Sequence, residues 1–190
     1  RQWSLTASSS LVNDEIFPRV HGSFDHAVLL PLEHSSVWFR GAAGKSWGDR
    51  TNAFSNFFFG AFGNNWIDYQ EVRRYRDFYS FPGVEINELG GNDFAKATAE
   101  WTLPPVRFRK MGVPALYSNW MRLALFSSAL VTDVTKSALR QDAYNVGGQL
   151  DFSIVVFSNL DATFSVGYAR AFLEQGRSSD EVMVSLKLLR

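Results

Sequence analysis

Residues able to do acid–base or nucleophilic chemistry are few in this chain. Histidine occurs three times, at His21, His26 and His34, and cysteine is absent, which removes thiolate zinc sites, thiol nucleophiles and disulfides. The one arrangement with a catalytic pattern is His34-Ser35-Ser36. A histidine in hydrogen-bond reach of a hydroxyl, oriented by a third group such as Glu33 or Asp25, is the layout of a general-base hydrolase. Neighbouring residues on a strand point to opposite faces, so His34 can share a face with Ser36 and not with Ser35. A lipid-modifying enzyme is what such a site would serve; turn residues at a barrel rim are the plainer reading. His21 and His26 fall on opposite faces of a strand and make no metal pair. No HExxH, P-loop or dinucleotide fingerprint occurs, and Gly90-Gly91 reads as a loop-to-strand hinge rather than a phosphate cradle. The expectation is therefore a chain with no catalytic residue, no metal site and no cofactor.

The remaining polar chemistry is charge. Lys96, Glu100, Arg122, Asp151 and Lys187 lie on the polar side of segments that alternate with a period of two. Inside a barrel lumen such charges are costly unless paired, so they should form cross-strand pairs or line a hydrated channel. A second group, Arg73, Arg74 and Arg76, lies in a region without alternation and reads either as a binding element or as a solvated basic loop.

The elements that must position these charges follow from composition and period. The 190 residues carry 19 Lys+Arg against 19 Asp+Glu, with 46% hydrophobic and 15% aromatic content, a pI near 7.0 and a mean hydropathy of -0.12. Zero net charge lacks the footprint of a nucleic-acid binder. The longest apolar runs, such as 154–157, fall far short of the roughly 18 to 20 residues of a membrane helix, whereas a membrane strand needs only about 9 to 11. The chain opens at Arg1 without the features of a signal peptide and reads as a mature or excised segment.

Alternation recurs from end to end. Val182, Val184, Leu186 and Leu188 oppose Met183, Ser185 and Lys187; Phe164, Val166, Tyr168 and Phe172 oppose Thr163, Ser165, Gly167, Ala169 and Ala171. Further segments read the same way: Tyr144 to Ile154, Met121 to Leu125 and Ala95 to Leu103, with weaker ones over 2–10, 19–32 and 35–45. The total is eight strands of an all-β protein in one domain, 1–190. One face is large and apolar, with aromatics such as Trp101, Trp120, Tyr144, Phe152 and Phe172 near strand ends; the other is small or polar with scattered charges. A soluble barrel that binds an apolar ligand would turn the apolar face inward. An outer-membrane barrel turns it outward, and the few charges on the polar face favour that reading. With the C-terminus on the periplasmic side, the turn at 158–161 falls inside and the stretch 46–91 becomes a long extracellular loop.

From about residue 71 onward the chain resembles the C-terminal barrel of the bacterial surface-antigen superfamily, the BamA/TamA and two-partner-secretion relatives. The resemblance is carried by Phe81-Pro82-Gly83-Val84, Leu89-Gly90-Gly91-Asn92, Glu100-Trp101-Thr102-Leu103-Pro104-Pro105 and Arg122-Leu123-Ala124-Leu125-Phe126. It implies a barrel of about sixteen strands, of which this chain would supply the second half, and a role in outer-membrane protein assembly or polypeptide translocation. Residues 46–91 would then be the sixth extracellular loop. In relatives that loop folds into the barrel with a Val-Arg-Gly-Phe/Tyr motif whose Arg meets a wall Asp. Here Val72-Arg73-Arg74-Tyr75 keeps the Arg, Phe81-Pro82-Gly83-Val84 keeps the Gly, and the wall motif reads Phe126-Ser127-Ser128 without its Asp. The ion pair is accordingly not carried over, while Arg73, Tyr75, Gly83, Gly90, Gly91 and Asn92 stand as loop candidates. The alternate apolar residues Val182, Val184, Leu186 and Leu188 resemble the terminal strand signal of barrels inserted by the assembly machinery; Arg190 departs from it.

The expectation is thus a transmembrane β-barrel of the bacterial outer membrane, in contact with lipid, with other outer-membrane proteins or a polypeptide client as partners and no nucleic acid. A small-pore or anchoring eight-stranded barrel is the first alternative, and the lipid-modifying enzyme the second.

Overall fold

The computed structural model of the chain describes residues 1–12, 15–63, 67–68, 73–157 and 159–188. Twelve strands follow in order: β1 (Gln2–Val12), β2 (Glu15–Leu29), β3 (Ser36–Ser46), β4 (Phe57–Phe59), β5 (Ile67–Asp68), β6 (Leu89–Gly91), β7 (Asp93–Thr102), β8 (Val106–Val113), β9 (Leu116–Thr132), β10 (Gln141–Val156), β11 (Leu160–Leu173) and β12 (Ser178–Leu188). Eight of them build one antiparallel meander in the order β1-β2-β3-β7-β9-β10-β11-β12. Among the described residues β1 and β12 do not pair with each other, so the sheet is open, and the small closed barrel, one of the two forms expected, is not seen. β5 adds to β12 in parallel through Leu186 with Ile67 and Lys187 with Asp68.

The eight strands correspond to the eight read from alternation, with shifted ends. β2 runs Glu15–Leu29 rather than 19–32. The turn expected at 158–161 is tighter, because Leu160 already pairs with Val156 and Asp161 with Val155. A hairpin the sequence reading missed joins β8 to the first residues of β9, where Val106 pairs with Met121 and Val113 with Leu116. Pro104 and Pro105, lacking backbone donors, precede it and mark where pairing with the main sheet stops.

The two faces of the sheet differ as the alternation requires. On β12, Val182 is 70% exposed while Met183, Ser185 and Lys187 are buried; on β11, Tyr168 is 50% exposed while Ser165, Ala169 and Ala171 are buried. On β7, Ala95, Ala97 and Ala99 face out and Lys96, Thr98 and Glu100 face in. What buries the inner face is the loop between β3 and β7. Its β4 and β6 pair through Phe57 with Gly91 and Phe59 with Leu89. Phe57, Phe59, Phe81 and Leu89 pack with Phe94 and Leu130 of the wall, and Phe62 and Tyr75 pack with Phe126, Ala169 and Met183. Each of these large side chains contributes about 1.5–3 kcal/mol when fully removed from water.

Small residues on the wall make room for these rings. A Cβ on Gly167 would lie 2.9 Å from the Phe62 ring, and one on Gly147 would lie 2.6 Å from Phe126, its direct partner across the sheet. The small-or-polar face is thus the seat of an aromatic plug.

Candidate functional site

The loop is held to the wall by a network of buried charges. A 3-10 turn at Arg74–Arg76 presents Arg73 and Arg76 to the inner face. Arg73 Nη1 donates to Glu100 Oε1 at 3.0 Å and to Thr102 Oγ1 at 3.0 Å, and its Nε donates to Asp151 Oδ2 at 3.1 Å. Arg76 binds the same glutamate in bidentate fashion, Nη2 to Oε1 at 2.7 Å and Nε to Oε2 at 3.0 Å. From β3, Arg40 Nη1 reaches Glu100 Oε2 at 2.8 Å, while its Nε lies 3.6 Å from Asp25. Glu100, 1% exposed, therefore serves three guanidinium groups. Asp151 is completed by Gln149 Nε2 at 2.7 Å and Ser165 Oγ at 2.8 Å. A carboxylate removed from water persists as a charge only with partners of this kind.

The ion pair that was not carried over at its motif position forms with other wall residues. The motif position does hold Ser128, whose Oγ accepts from Thr98 Oγ1 at 3.0 Å. Acids on the strands to either side of β9, Glu100 on β7 and Asp151 on β10, supply the charge instead. Any inward carboxylate at the right depth can meet the Arg, so the position of the acid along the sequence does not decide the matter. The solvated-loop reading likewise fails for Arg73, which is 5% exposed, though Arg74 is less enclosed and bonds Tyr79 Oη at 2.8 Å. Val72 lies outside the described residues. Tyr75 is fully buried and stacks on Phe126 at 4.3 Å; burial, with the Glu100 charge beside it, raises its hydroxyl well above the ordinary phenol range.

The other charges of the polar face divide. Among the described residues Lys96 makes no cross-strand ion pair, the first of the two roles expected of it; its ammonium caps the loop, donating to the carbonyls of Asp77 at 3.0 Å, Phe78 at 3.1 Å and Ser80. Lys187 is buried on β12 at the register where β5 joins. Arg122 is half-buried over the Trp120 ring at 5.1 Å.

Two further anchors fix the loop. Glu181 on β12 accepts from the backbone N–H of Phe62 at 3.0 Å and of Gly83 at 2.9 Å, tying two loop segments to one carboxylate. Gly83 adopts φ +101°, and a Cβ there would sit 2.7 Å from the Ala171 nitrogen, so only glycine fits. Asn145 Nδ2 donates to the Pro82 carbonyl at 2.8 Å. At the base of the loop, Asn92 receives Ser46 N–H at its carbonyl (2.7 Å), gives its own N–H to Asp133 Oδ1 (3.0 Å) and its Nδ2 to the Ser55 carbonyl (3.0 Å). Arg50 closes this junction on Asp133 at 2.8 Å. Gly91 passes so close that a Cβ would meet Asp133 at 3.0 Å, and Gly90 lies against Phe58. Sequence reading missed Glu181, Asn145 and Arg40. Glu181 shares its parity with Met183 and Lys187, which was the available signal.

The terminal-strand candidates stand apart from this site. Val182 and Val184 are exposed on the outer face, with Leu186 and Leu188 half-buried on the same side. The hydrolase candidate is dispersed: His34 is exposed in a turn at φ +60°, Ser35 Oγ donates to the Thr102 carbonyl and accepts from Trp101 Nε1, both at 3.0 Å, and Ser36 Oγ accepts from Trp38 Nε1 at 3.1 Å. His21 packs its ring at a tilt against Phe78 at 4.5 Å on the inner face, whereas His26 lies beside Phe24. The acids of the site are committed to arginines, and among the described residues none of the His, Asp and Glu groups clusters as metal ligands. Chemically the arrangement is a clamp.

These features define an all-β, mostly antiparallel sheet whose inner face is occupied by an ion-paired loop. Comparison with protein-family models, with curated proteins and with solved structures finds no match.

Proposed function

We propose that the chain forms part of the wall of an outer-membrane β-barrel that carries a folded loop in its lumen. By its resemblance to the surface-antigen superfamily, its role would be insertion or translocation of polypeptides at the outer membrane. The observation that carries the membrane reading is the sidedness of the sheet. Large apolar side chains, Val166, Tyr168, Val182 and Val184 among them, are exposed outward, while the polar and charged ones are enclosed. Water does not favour that arrangement and acyl chains do. The eight wall strands run from 10 to 17 residues, enough for a tilted strand to cross the hydrocarbon core.

Lipid cannot satisfy an open strand edge, so this reading requires β1 and β12 to be covered, by one another or by further strands. The resemblance favours further strands. The clamp at Arg73, Glu100 and Asp151 supports the superfamily reading in particular, because it supplies an ion pair of the kind the loop of relatives makes. A plain membrane anchor is the second reading, favoured by the aromatic plug, which leaves little room for conduction.

Refolding into detergent micelles against refolding in buffer tests the membrane reading. The expected outcome is native-like β structure in micelles and aggregation in buffer; a monodisperse, folded chain in buffer would reject it.

A further inference from the structure

In the sheet register Asp151 on β10 lies directly opposite Arg122 on β9. Opposite charges at facing positions are natural partners. Here the loop has taken that carboxylate: Arg73 binds Oδ2, and Gln149 and Ser165 hold Oδ1. Arg122 is left with no carboxylate in ion-pair distance among the described residues, and its Nε is buried without a hydrogen-bond partner. Arg73, itself almost wholly enclosed, also keeps Nη2 unpartnered.

Both arginines line one cleft of about 470 Å³, walled by Trp38 and Trp120 and shared with Arg76 and Asp151. Ser36 and Thr102, which also line it, stand at the first residue of β3 and the last of β7, so the cleft lies toward the end of the sheet opposite the one where the β3–β7 loop leaves and returns. Around it four guanidinium groups (Arg40, Arg73, Arg76, Arg122) face three carboxylates (Asp25, Glu100, Asp151).

We infer that this cleft binds a small ligand through an oxyanion, a phosphate or carboxylate group, and that docking of the loop creates the site by diverting Asp151 from Arg122. A guanidinium presents a planar fork of donors matched to such groups. Its attraction for an anion is strengthened where indole rings exclude water. The inference does not depend on a membrane location, since the cleft lies on the inner face under either reading.

The test uses the full chain, in whichever of micelles or buffer it folds, with tryptophan emission followed at constant ionic strength. Inorganic phosphate and acetate are the two probes, with chloride as the reference. A saturable response to phosphate alone assigns a tetrahedral anion, a response to acetate alone assigns a carboxylate, and a response to both assigns a general oxyanion site; each supports the proposal. Arg122→Gln is expected to weaken the response at least about tenfold, the loss of one charge-assisted contact. Thermal unfolding supplies a second readout: the bound probe raises the wild-type Tm and leaves that of Arg122→Gln unchanged. Without added anion, Arg122→Gln should be at least as stable as wild type, because it removes an unmatched charge. Arg122→Lys should retain part of the binding. No saturable response in the wild type, or equal responses in wild type and Arg122→Gln, would overturn the inference.

Discussion

Strand β1 and strand β11 have the same alternating pattern and very different surroundings. On β11 every second residue is buried under the loop; on β1 nearly all residues are exposed, because the loop does not reach that edge. Yet β1 still sets Trp3 (78% exposed) and Leu5 (71% exposed) on one side and Ser4, Thr6 and Ser8 on the other. The loop alone therefore does not explain the polar inner face. The pattern separates an apolar face from a polar one along the whole sheet, and the loop covers part of the polar face.

The contrast can be broken most severely at Glu100. Glu100→Gln leaves Arg40, Arg73 and Arg76 without their shared anion and should destabilise the fold by about 3–5 kcal/mol, read from denaturant unfolding. Ser8→Ala, on the uncovered inner face of β1, should change stability by no more than about 0.5 kcal/mol. Comparable losses from the two variants would mean that the loop clamp is not what orders the wall.

A charge on the outer face probes the other environment. Val166→Arg should cost about 2–4 kcal/mol in a bilayer if this part of β11 lies near the midplane. In a water-facing sheet the same change would be nearly neutral, so folding yield in lipid against detergent-free buffer separates the two.

A smaller effect is expected where the plug meets the wall. Gly167→Val would push Phe62 from its seat and should cost about 1–3 kcal/mol through overpacking. It should also speed proteolysis within 46–91 while leaving β1 to β3 protected. Uniform loss of protection would argue that loop and wall form a single cooperative unit.

Alternation made the wall legible because it reports a local property, which face a residue shows; eight strands follow from it, and the faces of the five with the clearest alternation. The loop was not legible in the same way. Arg73 finds Glu100 and Asp151 by its depth on the inner face, a quantity that sequence spacing does not encode. Phe94 and Phe126 are large residues on the polar side, out of keeping with their neighbours; the second is explained by its cross-strand pairing with Gly147, which leaves it room, and by the Tyr75 ring of the loop stacked on it. The clamp of Glu181 on Phe62 and Gly83 is of the same long-range kind. Whether the eight strands close on themselves or continue into a larger barrel was left open by the sequence, because strand count does not specify which edges meet.

The most direct test of the sidedness is quenching of single-tryptophan chains by acyl chains brominated near the headgroup end. Trp101 projects from the outer face, whereas Trp38 lies on the inner face against Arg40 and Arg76. Strong quenching of a chain retaining only Trp101, with little quenching of one retaining only Trp38, is the predicted result. Equal quenching of the two, or stronger quenching of Trp38, would contradict the account.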